Sequence, residues 1–176
     1  MGARTVLQQA DISRALTRIA HEILESNRGA ENLVLLGIPT RGVTLARRLG
    51  LLIGEIAQTA VPTGSLDVTL FRDDLARNPV RSPQPTEIPD GGIDGKTVVL
   101  VDDVLFSGRS IRAALDAIQS IGRPAVVRLA ILVDRGHREL PIRPDFVGKN
   151  IPSSRQERVN VRLIENDGAE EVTIEA

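Results

Sequence analysis

Three stretches of the chain, residues 33–38, 97–101 and 125–133, are almost uninterrupted runs of apolar and β-branched side chains. Such runs are expected of strands buried on both faces of a parallel sheet. Elsewhere the apolar spacing changes to that of a helix. Ile12, Leu16, Ile19 and Ile23 form one stripe, with Asp11 the expected N-cap and an end near Asn27. Leu45, Ala46, Leu49 and Leu52 form a second, and Ile111, Ala114, Leu115 and Ile118 a third. Residues 66–71 alternate and are expected to be a further strand. The order of these elements predicts an α/β fold, a doubly wound, mainly parallel sheet flanked by helices, in a single domain over residues 1–176.

The segments that interrupt this rhythm carry the candidate chemistry. The central run ends in Asp102 and Asp103, and residues 104–110 lead from it into the third helix. Ser107, Gly108 and Ser110 bring hydroxyls, an open backbone and the first unpaired N–H groups of a helix together, an arrangement that holds a phosphate. Carboxylates tolerate a phosphate only with hydroxyls or a cation between them, and an ionised Asp only accepts hydrogen bonds. A sugar phosphate satisfies both demands. One aspartate is expected at the sugar, and the other supports a metal, a water or a basic side chain. Thr40, Arg41 and Gly42 form a second strand-to-helix loop, in which the planar Arg fork and the bare Gly backbone suit a pyrophosphate. Residues 75–95, with four prolines and three glycines, are expected to be a lid or disordered.

Composition narrows the classes. The net charge is −1, so no whole-molecule field draws the chain to nucleic acid. The basic residues are uneven, however. Residues 1–48 and residues 128–158 each carry seven Arg or Lys against four Asp or Glu, which leaves room for a local basic face. Absence of cysteine excludes disulfide and thiolate chemistry, and absence of Trp and Tyr argues against an aromatic stacking platform. Without a signal peptide or an eighteen-residue apolar run, the expectation is a cytoplasmic protein with no membrane partner.

VVLVDDVLFSGRS resembles the phosphoribosyl pyrophosphate (PRPP) motif of type I phosphoribosyltransferases, and no Walker-type phosphate loop competes with it. ALTRIAHEI, GIPTRG, DVTLFRDDL and VDRGHRELPIRPDFVGKNIP, in that order, resemble the PyrR family of bifunctional pyrimidine-operon regulators with uracil phosphoribosyltransferase activity. The resemblance covers about residues 11–162 and implies a type I phosphoribosyltransferase fold with a small hood over about 134–176. It implies Asp102 and Asp103 near the ribose hydroxyls and Val104, Leu105, Phe106, Ser107, Gly108, Arg109 and Ser110 around the 5′-phosphate. Thr40, Arg41 and Gly42 would lie at the pyrophosphate, with Arg72 and Arg81 reaching it from a lid over about 72–95. Asp102, Asp103, Arg41 and Arg72 are the implied catalytic set, and Arg135 and Val159 lie near uracil. Mg²⁺ would be carried by PRPP near Asp102 and Asp103 rather than held in a protein cage.

RNA binding is implied for Thr17, Arg18 and His21 on the first helix and for Arg138, Arg143 and Lys149, although pattern alone reads Thr17, Arg18 and His21 as a solvated helix face. The implied partners are PRPP, uracil, UMP or UTP, a pyrimidine-operon leader mRNA, and further copies of the chain in a homodimer or larger assembly. UMP-dependent attenuation of pyrimidine genes is the implied regulation. Departures from the family are Phe71 and Phe106 where tyrosine is usual, Ser107 and Ser110 for threonine, and Ser26 where some relatives are basic. Phe106 cannot supply the acidic group that related purine enzymes direct at the base. Two other readings remain open: a non-catalytic sensor of PRPP or UMP, and an enzyme without RNA binding.

Overall fold

The computed structural model describes residues 2–73 and 84–176. Thirteen elements follow one another: β1 (Arg4–Gln8), α1 (Gln9–Asn27), β2 (Leu33–Gly37), α2 (Arg41–Ala57), β3 (Thr63–Ser65), a 3-10 turn (Thr69–Phe71), β4 (Thr97–Leu105), α3 (Arg109–Gln119), β5 (Val126–Asp134), β6 (Phe146–Asn150), β7 (Arg158–Arg162), α4 (Ile164–Asp167) and β8 (Glu171–Glu175). Five strands make a wholly parallel sheet in the order β3-β2-β4-β5-β6, and β1, β8 and β7 make a separate antiparallel sheet.

The uninterrupted apolar runs are explained by burial on both sides. Along β4, Val99 and Val101 pack into a core with α1, α2 and the small sheet, while Val98 and Leu100 pack into a second core with α3. β2 divides in the same way, Leu33 and Leu35 to one side and Val34 and Leu36 to the other. The alternation of a pleated strand thus builds three layers around β4, with the loops after β2, β4 and β5 at one edge.

Local departures have local causes. α1 begins two residues before Asp11; Gln8 is the N-cap and the Asp11 carboxylate accepts the Gln8 N–H at 2.8 Å. The strand expected over 66–71 is absent. Leu66 and Val68 are buried as expected, but Asp67 accepts hydrogen bonds from the Thr69 N–H and hydroxyl at 3.2 and 2.7 Å, which turns the chain into the 3-10 segment. Of the lid expected over 72–95, residues 84–95 lie along the sheet edge. Glu87 and Ser65 exchange backbone hydrogen bonds at 2.9 Å, the Ser65 hydroxyl donates to Pro85 O at 3.1 Å, and Ile93 is buried. The small sheet draws β1 from the start of the chain, which patterning did not anticipate, whereas Phe146–Asn150 joins the large sheet beside β5. Among the described residues, no helix is long and apolar enough to cross a membrane.

Candidate active site

The β4–α3 connection is shaped by a glycine in the left-handed region, where a side chain would be strained. Gly108 is the N-cap of α3 at φ 93°, and a Cβ there would stand 3.0 Å from Ile142. The segment after β5 therefore rests directly on the loop, where the Ser107 carbonyl accepts the N–H groups of Glu139 and Leu140 at 2.9 and 3.2 Å. Within the loop the Ser107 hydroxyl accepts the Arg109 N–H at 3.3 Å, and the Ser110 hydroxyl accepts from Arg72 Nη1 at 2.7 Å. Leu105 points into the core. Arg109 contributes its backbone to the helix start, but its side chain turns away to Asp73 (2.7 Å) and Glu139 (2.9 Å).

Asp102 and Asp103 end the central strand as expected. Each uses one carboxylate oxygen to accept the N–H of the following residue, at 2.8 Å. Asp102 is buried, and burial, followed by the carboxylate of Asp103 beside it, pushes its carboxyl well above the usual range while Arg72 pulls the other way. Arg72, Ser110 and the acid pair therefore share one site. Arg81 lies outside the described residues.

The Thr40–Arg41–Gly42 loop docks on this end of β4. Ile38 N–H donates to Val101 O at 2.9 Å, and a Cβ on Gly42 would come within 2.4 Å of the same carbonyl oxygen, so the glycine serves strand contact as well as ligand approach. The Pro39–Thr40 peptide is cis. Arg41 sits close enough to Asp103 to feel its charge, yet its Nε and Nη2 are bonded to Asp167 of α4 at 3.0 and 2.6 Å. Its donor fork is thus partly occupied by a residue 126 positions away.

On the other flank, Phe106 is a hub. The Arg135 guanidinium lies 4.3 Å over its ring, Arg155 is 6.0 Å away, and the His137 ring stands at 5.9 Å. Arg135 is buried and donates to the Ser153 hydroxyl at 3.1 Å and Ser154 O at 2.7 Å; burial lowers its pKa below that of a free guanidinium. Val159 on β7 is half-buried and packs against the first core. Arg138 spreads three donors over Ile142 O (2.9 Å), Phe106 O (3.0 Å) and Asp134 (2.6 Å). It ties the phosphate loop to the segment above it.

Residues 2–163 match the phosphoribosyl transferase domain family. Among curated proteins, the chain is 69% identical to the Bifunctional protein PyrR of Leifsonia xyli subsp. xyli, with 99% of this chain and 98% of the relative covered. It is 62% identical to the Bifunctional protein PyrR of Streptomyces coelicolor, with 99% and 90% covered. The chain belongs to the PyrR family of phosphoribosyltransferase-domain proteins. The fold is also that of the hypoxanthine phosphoribosyltransferase of Trypanosoma cruzi, at TM-score 0.74 and 14% identity over 98% of this chain and 91% of that one. The Leishmania tarentolae enzyme in complex with GMP matches at TM-score 0.72 and 16% identity over 100% and 98%.

For a PyrR-family chain the residues expected at RNA separate into three groups. Arg18 and Lys149 border a hollow of about 270 Å³ together with Asp11, Arg14 and Gly148, and Arg18 donates to Val147 O and Gly148 O at 3.1 and 2.5 Å. Thr17 lies instead on the flank of α1 that faces Arg48 and Glu170, and His21 and Arg143 are exposed. Arg138 is committed to the phosphate loop. Sequence reasoning missed Asp167, Glu139, Asp73, Ser153 and Ser154, each of which orients a predicted site residue. Asp73, adjacent to Arg72, and Glu139, adjacent to Arg138, carried a nearby signal.

Proposed function

We propose that the chain transfers a phosphoribosyl group from PRPP to uracil, releasing pyrophosphate, and that it also binds pyrimidine-operon RNA under control of UMP. The juxtaposition of Asp102 and Asp103, the Ser107–Ser110 helix start and the Arg41 loop supports the first activity. It provides acceptors for a diol, donors for a 5′-phosphate and a cationic loop for a pyrophosphate, all at the ends of the neighbouring strands β2 and β4. Ser110 is held by Arg72, so the 5′-phosphate and the leaving anion are approached by one connected group of donors.

Bond making at C1 of the ribose breaks the bond to pyrophosphate as uracil N1 adds, and the N1 proton leaves to water or to the departing pyrophosphate. The protein's share is to align the two reactants and hold the departing anion. Arg41 and Arg72 carry that charge. Asp103 accepts the ribose hydroxyls, with Asp102 buried behind it. Phe106, with the Arg135 guanidinium 4.3 Å over its ring, offers no acid or acceptor side chain to a purine base, which favours a pyrimidine.

Among the described residues, no group of three or more His, Cys, Asp or Glu could cage a metal, whereas two adjacent carboxylates fit an ion that arrives with its substrate. Mg²⁺ carried by PRPP would lie beside Asp102 and Asp103 and neutralise charge on the pyrophosphate. Arg18, Lys149 and the exposed side of α1 are the RNA surface in this reading, joined by Thr17, His21 and Arg143.

Labelled uracil incubated with PRPP and Mg²⁺ tests the enzyme, and the expected result is UMP formation that disappears in Asp102→Asn/Asp103→Asn. Equal turnover by that variant would overturn the assignment. A leader-RNA gel shift tightened by UMP tests the second activity.

A further inference from the structure

One face of α2 carries a ladder of polar contacts to the turn between β7 and β8. Arg41 bonds Asp167 through Nε and Nη2, the Thr44 hydroxyl donates to Asn166 at 2.8 Å, and Arg48 is bonded to both Glu165 and Glu170. Positions 41, 44 and 48 share one side of a helix. Two of these rungs dock the turn, but the first does something else, because Arg41 is also the opening residue of α2 at the expected pyrophosphate loop.

The Asp167 carboxylate has a fixed position. Its Oδ2 accepts the Leu163 N–H at 2.9 Å, its own N–H donates to Leu163 O at 2.7 Å, and Leu163 is fully buried. The charge of Asp103, on the neighbouring strand end, also reaches Arg41. Among the described residues Nη1 of Arg41 has no hydrogen-bond partner. Without Asp167 the guanidinium would lose both of its hydrogen bonds and nothing would fix its orientation.

We propose that Asp167 is a positioning residue of the phosphoribosyl transfer site, holding Arg41 by its Nε–Nη2 edge so that Nη1 is presented to the pyrophosphate. The proposal rests on the phosphoribosyltransferase reading given above. The bidentate grip fixes a planar donor that would otherwise lose rotamer freedom on binding. Docking of the turn does not depend on it, since Thr44 and Arg48 hold Asn166, Glu165 and Glu170.

The test measures KM for PRPP, KM for uracil, kcat, and the affinity for Mg²⁺-pyrophosphate by calorimetry in the full chain, Asp167→Asn, Asp167→Ala, Arg41→Gln and Arg41→Gln/Asp167→Asn, with Glu165→Gln as the docking control. Misplacing a positioned group costs on the order of 10- to 100-fold, so kcat/KM for PRPP and pyrophosphate affinity should fall by ~10-fold or more in Asp167→Asn and Asp167→Ala. KM for uracil and the Glu165→Gln control should stay within about twofold, and adding Asp167→Asn to Arg41→Gln should cost nothing further, because groups acting as one unit are non-additive. Pyrophosphate binding within twofold of the parent in Asp167→Asn, or losses that multiply in the double variant, would overturn the proposal. If the parent makes no UMP but binds pyrophosphate and Asp167→Asn weakens it, the positioning role stands and the transfer reading falls.

Discussion

The cleft at the end of β4 and the basic flank of α1 are built on opposite plans. In the cleft nearly every polar group already has a protein partner: Ser110 with Arg72, Arg41 with Asp167, Arg109 with Asp73 and Glu139, Arg138 with three acceptors. On the α1 flank, Thr17, Arg18 and His21 are exposed, and only Arg18 is anchored, to the β6 carbonyls. A ligand entering the first region must exchange one set of bonds for another, so geometry decides the outcome. A ligand meeting the second gains mainly from charge, so salt decides it.

The most severe break in this contrast is expected from the acid pair. Asp102→Asn/Asp103→Asn should reduce UMP formation by roughly 10³-fold or more, the scale seen when preorganised polar groups are removed. Asp102→Asn alone should also raise Tm at neutral pH. Its folded pKa lies above the unfolded value, so the ionised carboxylate costs folding free energy above that pKa and the cost fades as pH falls. Asn removes the charge, and Tm rises by roughly 2–4 °C for each kcal/mol relieved. A lower Tm by calorimetry would contradict the burial argument.

Next in size is the separation of Arg138 from Arg18 and Lys149. Arg18→Glu/Lys149→Glu should weaken leader-RNA binding and flatten its salt dependence, with a slope change of about 0.7 per lost phosphate contact on single strands, while UMP formation stays within about twofold. Arg138→Gln should do the reverse, lowering turnover and Tm because Phe106 O and Asp134 lose a half-buried partner, at a cost of about 1 kcal/mol. If Arg138→Gln affected RNA alone, its side chain would belong to the surface and not to the cleft. Gly108→Ala should cost about 1–3 kcal/mol and raise KM for PRPP, since φ 93° and the Ile142 contact are both violated.

The smallest effect concerns the α2–α4 ladder. Hydrogen bonds from Arg41 lower the Asp167 carboxyl, and those from Arg48 lower Glu165 and Glu170. Their contribution is complete above the unfolded carboxylate values of 3.8 and 4.5 and is lost as pH falls below them. Glu165→Gln/Glu170→Gln should therefore unfold with a weaker pH dependence below about pH 4, measured by acid titration.

What was legible in the chain was what neighbours in sequence determine. The β4 run, the acid pair and the serine–glycine helix start are contiguous, and the structure assembles them in that order. The strand expected over 66–71 failed because one side chain, Asp67, closed a turn that hydrophobic alternation does not register. Asp167 was invisible because its partner is Arg41, 126 positions earlier, and nothing in the acidic tail says which Arg a carboxylate will meet. Arg109 misled for the converse reason. Its place in the phosphate motif is local, while its side chain answers to Asp73 and Glu139.

The placement of Phe106 beside the Arg135 and Arg155 guanidinium groups has a practical outcome, because the chain contains neither Trp nor Tyr. An indole installed by Phe106→Trp would be the sole strong fluorophore in the molecule, seated at the junction of the phosphate loop and the small sheet. Its emission would follow the spacing of those two parts in real time, with no background to subtract.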